Sequence, residues 1–412
     1  MHILYMVQYF NSPDDPGGSR AYEFAGHWAA SGHRVTMLAG NLNHKTLSTI
    51  TSATVPPPGV TVVRVPTYNR IRGSYARRIV NFLSYAAGAT MRALTIRGVD
   101  VVYASSTPLT TGAAGWLVAF LKRARFVFEV RDLWPESAIV AGVLRRGSFV
   151  RLIEAVERFL YARADALVAL SEGIRAGILN RGGAPAKVAL VPNGTDDWTI
   201  DRPIRPTTNF PLDTDRYFVC TYVGALGRWN SLETLLDAAR LLEGSRVRFL
   251  IVGDGDHRDA LRKRAEGLAL TNVVFHGAIP KKQVLEYLAA SHLCVLCTWR
   301  DPFLGTVLQN KIFDYMASGR PVAAAAQGEL ATLVETADCG WVTAPEAPEA
   351  LARLCLELST ADPQMLVRRG ANGRAFVDRH YRRSRLAEDA LDAMAAPGPH
   401  RDADEHASAA QA

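Results

Sequence analysis

The sequence predicts an α/β protein of two domains with similar layouts, each with a parallel sheet covered by helices on both faces. Short apolar segments alternate with amphipathic, helix-like segments along most of the 412 residues, the pattern of parallel sheets. The alternation stops in a proline-rich polar stretch at residues 198–215 and then restarts, which is typical of a linker. A chain of this length can bury two cores.

The domain boundaries follow the breaks in this alternation. The first domain is assigned to residues 1–197 and the second to residues 216–380. A helix-like segment at residues 381–394 is expected to return to the first domain. The tail at residues 395–412 has a low-complexity composition and is expected to be disordered.

The predicted strands are short, mainly apolar runs, as in strands buried on both faces of a parallel sheet. In the first domain they lie at residues 2–10, 34–39, 60–65, 101–104, 126–130, 166–170 and 188–191. In the second domain they lie at residues 218–223, 247–252, 273–276, 293–297 and 322–326. Amphipathic segments between them predict helices, including one that Gly32 ends and one that Ser231 caps.

The composition is that of a folded, soluble protein, with 48% apolar and 21% charged residues. No apolar run reaches the roughly 18–20 residues that span a bilayer, and the N-terminus is interpreted as a strand rather than a signal peptide. The five cysteines, an odd number, indicate reduced thiols in the cytoplasm. Cys294 and Cys297 lie in an apolar run without a second pair, so their spacing does not predict a zinc site.

Basic residues are concentrated in the first half of the chain. Residues 1–197 carry 22 Lys and Arg against 13 Asp and Glu, whereas the remainder carries 25 against 27. This asymmetry indicates an anionic partner for the first domain. The basic residues are not part of a nucleic-acid recognition motif, so nucleic acid is not the expected partner.

The segment at residues 70–97 combines arginines with aromatic and aliphatic residues. One interpretation is an amphipathic helix at a membrane interface, with its arginines on anionic head groups. The other is a long helix packed on the sheet. With the charge asymmetry, we expect peripheral contact with the cytoplasmic face of a membrane through Arg72, Arg77, Arg78 and Phe82.

Two loops of the first domain follow predicted strands, where parallel sheets place their ligands. Gly17 and Gly18 would let the backbone approach a ligand closely. Arg131, Asp132 and Glu136 follow a later strand, where carboxylates can carry acid/base chemistry and an arginine can hold an anion. The alternative is an N-cap aspartate beside a structural ion pair.

In the second domain, the loop at residues 301–310 runs into a helix-like segment that begins at Lys311. Helix starts favour anions, and Lys311 adds a positive charge there. Asp314 lies three residues on, where it could accept hydrogen bonds from a hydroxylated ligand, and Thr306 and Gln309 lie in the loop. The pattern indicates a phosphate-plus-sugar site; the alternative is a solvated lysine at an ordinary helix start.

Seven motifs together resemble the family 4 glycosyltransferases, which have the GT-B fold of two Rossmann-like domains facing an interdomain cleft. The motifs are P-G-G-S-R, G-H-R-V, V-P-N-G, V-G-A-L-G, I-V-G-D-G-D, V-V-F-H-G-A-I-P and K-I-F-D-Y-M-A-S-G-R-P-V. R-D-L-W-P-E-S further resembles the WbuB-like aminosugar transferases. The resemblance covers about residues 1–394.

The resemblance implies that the second domain binds a nucleotide diphosphate sugar, with no metal or other cofactor. The base is expected near Gly277 and Ile279, the ribose on Asp314, and the diphosphate on Lys311 and Arg228. We expect a UDP-sugar donor; an N-acetylated or a deoxy sugar is one candidate for its sugar group. The sugar would be transferred with retention to a lipid-linked saccharide in surface-polysaccharide or cell-envelope synthesis.

Some positions depart from the family pattern. The family's paired glutamates, eight positions apart, are Thr306 and Asp314 here, and Glu329 is a candidate to compensate. Arg131 and Asp132 stand where many members have a His-Asp pair. Two other functions therefore stay open: a non-hydrolysing UDP-sugar epimerase on the same fold, and a non-catalytic partner of a glycosyltransferase.

Overall fold

A computed structural model describes residues 1–15, 17–42, 55–70, 75–140, 142, 144 and 146–396. The chain separates into two units. Unit one comprises Met1–Ser12, Arg20–Pro192 and the chain from Ser384 on, and unit two comprises Pro13–Ser19 and Asn193–Arg383. Each unit contains a parallel sheet, which confirms the predicted α/β class with two Rossmann-like domains.

The sheet of unit one has seven strands. They are β1 His2–Val7, β2 Arg34–Gly40, β3 Val60–Val65, β4 Val101–Ser105, β5 Arg125–Val130, β6 Ala166–Ala169 and β7 Val188–Leu190. Their order is β3-β2-β1-β4-β5-β6-β7, and every pair is parallel. The strand order reverses direction between β1 and β4, where doubly wound sheets bind ligands beyond the carboxyl ends of their strands.

Among the described residues of unit one, six α-helices lie between these strands. They are α1 Arg20–Ala30, α2 Tyr75–Leu94, α3 Leu109–Lys122, α4 Glu136–Val140, α5 Ser148–Arg163 and α6 Glu172–Asn180. One face of α2 packs on the sheet, because Tyr85 is fully buried and its hydroxyl donates to the Leu38 carbonyl at 2.7 Å. The opposite face leaves Leu83 and Met91 exposed. Helix α2 therefore packs on the sheet, as one interpretation of this segment requires. It also has the exposed apolar face that the membrane-interface interpretation requires.

The core of unit one is built around aromatic side chains. Tyr5, Trp28 and Tyr103 are fully buried, and their ring centroids lie 5.0 to 5.3 Å apart. Such tilted and edge-to-face aromatic contacts stabilise a core beyond the area that they bury.

The sheet of unit two has six strands. They are β8 Phe218–Val223, β9 Val247–Val252, β10 Val273–Gly277, β11 Leu293–Cys297, β12 Val322–Ala325 and β13 Gly340–Thr343. Their order is β10-β9-β8-β11-β12-β13, again with parallel pairs throughout. The strand order reverses between β8 and β11, which places the loops after these strands where a ligand site is expected.

Helices cover both faces of this sheet. They are α7 Asp197–Asp201, α8 Leu232–Leu241, α9 Arg258–Gly267, α10 Val284–Ala289, α11 Lys311–Ala317, α12 Glu329–Thr336, α13 Pro348–Ser359 and α14 Pro363–His380. One core cluster includes Phe313 of α11, and a second includes Leu235 of α8. The two clusters contain alternate residues of the strands, as a sheet covered on both faces requires.

The segments next to the predicted boundaries are partly folded. Within the proposed linker, α7 forms, and Trp198 and Phe210 pack against the core of unit two. The last described helix, α15, spans Arg383–Ala395 and lies with unit one from Ser384 on. There the Trp28 Nε1 donates to the carbonyl of Ala387 at 2.9 Å.

Two predictions fall on parts of the chain that the structure does not describe. Arg72, one of the proposed membrane contacts, lies outside the described residues, as does the predicted disordered tail from residue 397 on. Among the helices of the described residues, none is both long enough and apolar enough to cross a bilayer.

Candidate functional site

Lys311 is held at the carboxyl edge of the unit-two sheet. Its Nζ donates hydrogen bonds to the Tyr222 hydroxyl at 2.8 Å and to Asn230 Oδ1 at 2.6 Å, and it lies 4.5 Å from the Tyr222 ring centroid. Gly224 leaves room for the lysine, since a Cβ there would lie 2.9 Å from Lys311 Cε. The ammonium is thereby fixed against the loop that follows β8.

The same loop carries Arg228. Asn230 stabilises the backbone of this loop, because its Nδ2 donates to the Ala225 carbonyl at 2.8 Å. Arg228 begins a short 3₁₀ turn and is exposed. The structure thus brings both predicted diphosphate cations to one loop, with Lys311 anchored and Arg228 in solvent.

Asp314 is buried one turn further along α11. Its Oδ1 accepts an ion-paired hydrogen bond from Lys281 Nζ, and the two side chains keep only 10% and 5% of their exposure. Burial raises the pKa of Asp314 above its ordinary value, although the charge and hydrogen bond of Lys281 oppose the shift. Lys281 was not singled out from the sequence, because nothing in its surroundings there links it to a residue 33 positions away.

Glycine residues bring the loops after β8, β9 and β10 together. The Gly253 N–H donates to the Gly277 carbonyl at 2.7 Å. Gly253 has a φ of 147°, and a Cβ there would lie 1.8 Å from the Gly224 carbonyl oxygen, so only glycine allows this approach. Gly277 has a φ of 98°, and the Ile279 side chain just beyond it is buried. The expected base site is therefore mostly backbone.

Amide oxygens without partners lie in the loop before α11. Within the described part of the chain, Gln309 Oε1 and Asn310 Oδ1 are buried and accept no hydrogen bond. Thr306, where a glutamate is expected, donates through its Oγ1 to the Phe303 carbonyl at 2.7 Å. Because buried acceptors without donors are costly, the two amides are suited to a ligand rich in O–H or N–H groups.

Glu329 begins α12, close to that loop. A Cβ at Gly328 would lie 2.1 Å from the Gly305 carbonyl oxygen, so the backbones before Glu329 and Thr306 are in contact. The start of α12, which carries Glu329, therefore adjoins the turn that holds Thr306.

The loop of Gly17 and Gly18 is itself part of unit two and contacts the segment of Lys281 and Lys282. The Lys281 and Lys282 N–H groups donate to the carbonyls of Asp15 and Pro13 at 3.2 and 3.1 Å. A Cβ at Gly18 would lie 3.7 Å from Asn310 Nδ2. The glycine pair thus adjoins both the Asp314–Lys281 pair and the loop before α11.

In unit one, Arg131 and Asp132 follow β5 and contact the loop after β4. The Arg131 N–H donates to Ser106 Oγ at 2.8 Å, and Asp132 Oδ2 accepts from Thr107 Oγ1 at 2.9 Å. These contacts hold both residues at the carboxyl edge of the sheet, where the sequence placed them.

Glu136 is engaged differently. It forms an ion pair with Arg181, which also binds Glu157 at 2.5 Å. This arrangement corresponds to the structural ion pair of the alternative interpretation. A catalytic role for Glu136 stays a prediction.

The comparisons with known proteins cover both units. The model of the glycosyl transferase 4-like domain matches residues 17–194, and that of the glycosyl transferases group 1 matches residues 217–361. The chain is a family 4 glycosyltransferase.

Relatives and solved structures agree with this assignment. The glycosyltransferase is 25% identical over 319 residues to the probable glycosyltransferase WbjE of Pseudomonas aeruginosa, covering 76% of this chain and 78% of WbjE. It is 26% identical over 310 residues to the putative colanic acid biosynthesis glycosyl transferase WcaI of Escherichia coli K12, covering 71% and 74%. The structure of Anabaena HepE in complex with UDP and glucose superposes with a TM-score of 0.71 at 19% identity, covering 96% and 99%. These likenesses confirm the GT-B fold and leave the WbuB-like subgroup a prediction.

The glycosyltransferase also has functional candidates that the motifs did not reveal. Tyr222, which binds Lys311, lies in a mainly apolar run that predicts a buried strand. Lys281 directly follows Pro280, outside the predicted site motifs. No group of three or more His, Cys, Asp or Glu side chains in the described residues could hold a metal ion. The expectation of a metal-independent reaction stays a prediction.

Proposed function

We propose that this glycosyltransferase moves a sugar from a UDP-sugar, with retention at the anomeric carbon, to a lipid-linked saccharide at the cytoplasmic face of a membrane. The observation that carries the proposal is the arrangement around α11, with Lys311 anchored beside a glycine-lined loop edge and Asp314 buried on Lys281. The relative WcaI is named for colanic acid biosynthesis and HepE was solved with UDP, which supports a UDP-sugar used in polysaccharide synthesis.

The donor groups are assigned by their chemistry. Lys311 and Arg228 neutralise the diphosphate, and the charge of Lys311 stabilises the UDP that leaves when the anomeric bond breaks. This positive charge takes the part that a metal ion plays in other transferases. Asp314 accepts hydrogen bonds from the ribose hydroxyls, and the backbone near Gly277 and Ile279 holds the base.

The sugar is assigned to the loop before α11. Thr306 cannot offer the charge of a glutamate, whereas Gln309 Oε1 and Asn310 Oδ1 are neutral acceptors without donors in the described part of the chain. Neutral acceptors suit hydroxyl and amide N–H donors, which favours a sugar with an acetamido group. Glu329 adds a carboxylate from α12.

The acceptor is assigned to unit one. Asp132 and Arg131 lie at the edge of its sheet, suited to an acceptor hydroxyl and an anionic group respectively. Arg77 and Arg78 lie at the start of α2 and, with the half-buried Phe82, form the proposed contact with an anionic membrane.

A binding and transfer experiment tests the proposal. Wild type should gain thermal stability with one or more UDP-sugars and release UDP only when a lipid-linked saccharide is present. Lys311→Ala should lower kcat/KM by about 10²-fold, from the lost charged hydrogen bonds, whereas Lys263→Ala, an exposed lysine of the same unit, should not.

The rival functions give different results. Conversion of a UDP-sugar without any acceptor would identify an epimerase. Absence of donor binding, or an unchanged kcat/KM in Lys311→Ala, would reject the proposal. Equal flotation of wild type and an Arg77→Glu/Arg78→Glu variant with anionic liposomes would reject the membrane contact.

A further inference from the structure

Unit one contains an apolar cavity of about 400 Å³. It is formed by side chains of α2, α3 and α5, among them Phe82, Leu109, Ala113, Leu152 and Val156, together with Trp134. None of the described residues that line it is charged. The cavity lies within the size range of ligand pockets, and it has room for about a dozen groups of roughly 30 Å³, the volume of a water molecule.

The mouth of the cavity carries exposed apolar side chains. Leu83, Phe149 and Leu152 line it and are 54%, 53% and 59% exposed. Elsewhere on the same helices, Met91 is 72% and Phe120 is 68% exposed. An apolar surface of this kind around a concave site marks an interaction site rather than ordinary surface composition.

The charges on the helices around the cavity indicate the charge that its ligand should carry. Helices α2, α3 and α5 together carry seven basic residues and two acidic ones. Arg77, Arg78 and Arg151 are among the basic residues within two positions of lining residues in sequence, whereas three others lie in the last turns of the helices. One of the two acids, Glu157, is buried and bound to Arg181. The helices that form an uncharged cavity therefore present a positive surface, which complements an amphiphile with an anionic head group.

One wall of the cavity connects it to the candidate acceptor residues. Trp134 follows Asp132 by two residues, and Pro108, which also lines the cavity, follows the Thr107 that donates to Asp132. The buried Nε1 of Trp134 has no hydrogen-bond partner within the described residues.

We infer that the cavity binds the hydrocarbon chain of a single-chain lipid phosphate, the lipid portion of the acceptor, and so directs the attached sugar towards Asp132. This inference rests on the proposed function for the identity of the acceptor. A flat bilayer surface would contact the exposed rim and leave the concave interior, including Ala113 and Val156, unfilled. The inference assigns these residues to ligand binding, in addition to the surface contact proposed for Arg77 and Arg78.

The test measures binding of dodecyl phosphate, below its micelle concentration, to the full-length protein by calorimetry. Its twelve-carbon chain matches the cavity volume, and butyl phosphate serves as the short-chain comparison. Ala113→Phe fills the cavity and should weaken dodecyl phosphate binding at least tenfold. Phe120→Gln, which replaces an exposed apolar residue outside the cavity on the same helix, should change it less than twofold. Leu152→Gln at the rim provides a second variant that keeps the buried packing.

The outcomes separate the possibilities. Equal binding by wild type and Ala113→Phe, both with unchanged melting temperatures, overturns the inference, as does equal weakening in Ala113→Phe and Phe120→Gln, which would indicate adsorption to the apolar surface. Equal affinity for butyl and dodecyl phosphate overturns it as well. The measurement needs no UDP-sugar, so binding of dodecyl phosphate without any UDP-sugar binding would reject the proposed function and leave the cavity assignment standing.

Discussion

The buried ion pairs Arg20–Glu129 in unit one and Lys281–Asp314 in unit two differ in how fully their carboxylates are bonded. Glu129 accepts from Arg20 Nε at 2.8 Å, from the Tyr103 hydroxyl at 2.9 Å and from Ser105 Oγ. Asp314, by contrast, has Lys281 as its hydrogen-bond partner among the contacts described. Both pairs are largely withdrawn from water, so the difference lies in the bonding and not in the burial.

The pKa values of the two carboxyls follow this difference. Burial opposes ionisation of Glu129, but the charges of Arg20 and Arg131 and the Ser105 hydrogen bond outweigh it and lower its pKa. At Asp314 burial prevails over Lys281, and the pKa is raised. A carboxylate whose acceptor sites are all occupied acts as a structural element. One with unused acceptor sites can still accept hydrogen bonds from a ligand.

The largest expected effect is on the fully bonded pair. Arg20→Met leaves a buried carboxylate without its cation and should lower the opening free energy of unit one by about 3–5 kcal/mol. Hydrogen exchange of peptides from β5 measures this unit separately. The double variant Arg20→Met/Glu129→Gln should recover part of the loss. A loss below about 1 kcal/mol in Arg20→Met would contradict the assignment of this pair as structural.

Loss of the cation from the Lys281–Asp314 pair should lower stability less than loss of Arg20, and it should affect ligand binding more. Lys281→Met should cost about 1.5–3 kcal/mol, because Asp314 loses one charged hydrogen bond and can take up a proton. With its folded-state pKa raised further, the loss should be greatest at neutral pH and shrink as the pH falls towards the ordinary carboxyl range. Hydrogen exchange of α11 at two pH values checks this. A loss that does not change with pH would contradict it.

Glu157 is a third buried carboxyl, which accepts hydrogen bonds from the Trp134 N–H, the Tyr161 hydroxyl and Arg181. Burial raises its pKa to about 6, against hydrogen bonds from Tyr161 and Arg181. A raised carboxyl pKa favours the folded state below its unfolded value and loses that contribution as the pH rises through 6. Relative to Glu157→Gln, wild type should therefore gain about 1.3 kcal/mol between pH 6 and pH 4.5, out of ~2 kcal/mol across the whole titration. If the melting temperatures of the two proteins change with pH to the same extent across this range, the raised pKa of Glu157 is refuted.

The smallest effect is expected at the exposed pair of Lys282 and Asp14, whose side chains are 57% and 67% exposed at 2.6 Å separation. Solvent screens such a pair, so Lys282→Ala should change stability by less than about 0.5 kcal/mol. The backbone bonds that hold the Gly17–Gly18 loop remain in this variant. A change in melting temperature as large as that of Lys281→Met would show that exposure does not explain the difference between the pairs.

The sequence allowed much of the site to be predicted, because glycine-rich loops and charges after apolar strands are local signals. Lys311 and Asp314 were singled out from one segment, and the fold shows them at the predicted sheet edge. Lys281, Tyr222 and the lining of the apolar cavity could not be found in this way. Their roles depend on side chains that come together from separate elements, and sequence spacing carries no record of that proximity.

By itself the sequence determined the α/β class, the two-domain pattern and the family, because strand and helix periodicity and short loop motifs are encoded locally. Only the tertiary structure decided which carboxylates are fully bonded and which keep free acceptors. It also decided that Glu136 binds Arg181 and that the outer face of α2 adjoins a cavity. Burial and partner geometry are properties of the packed chain, and they set both the pKa of a carboxyl and its availability to a ligand.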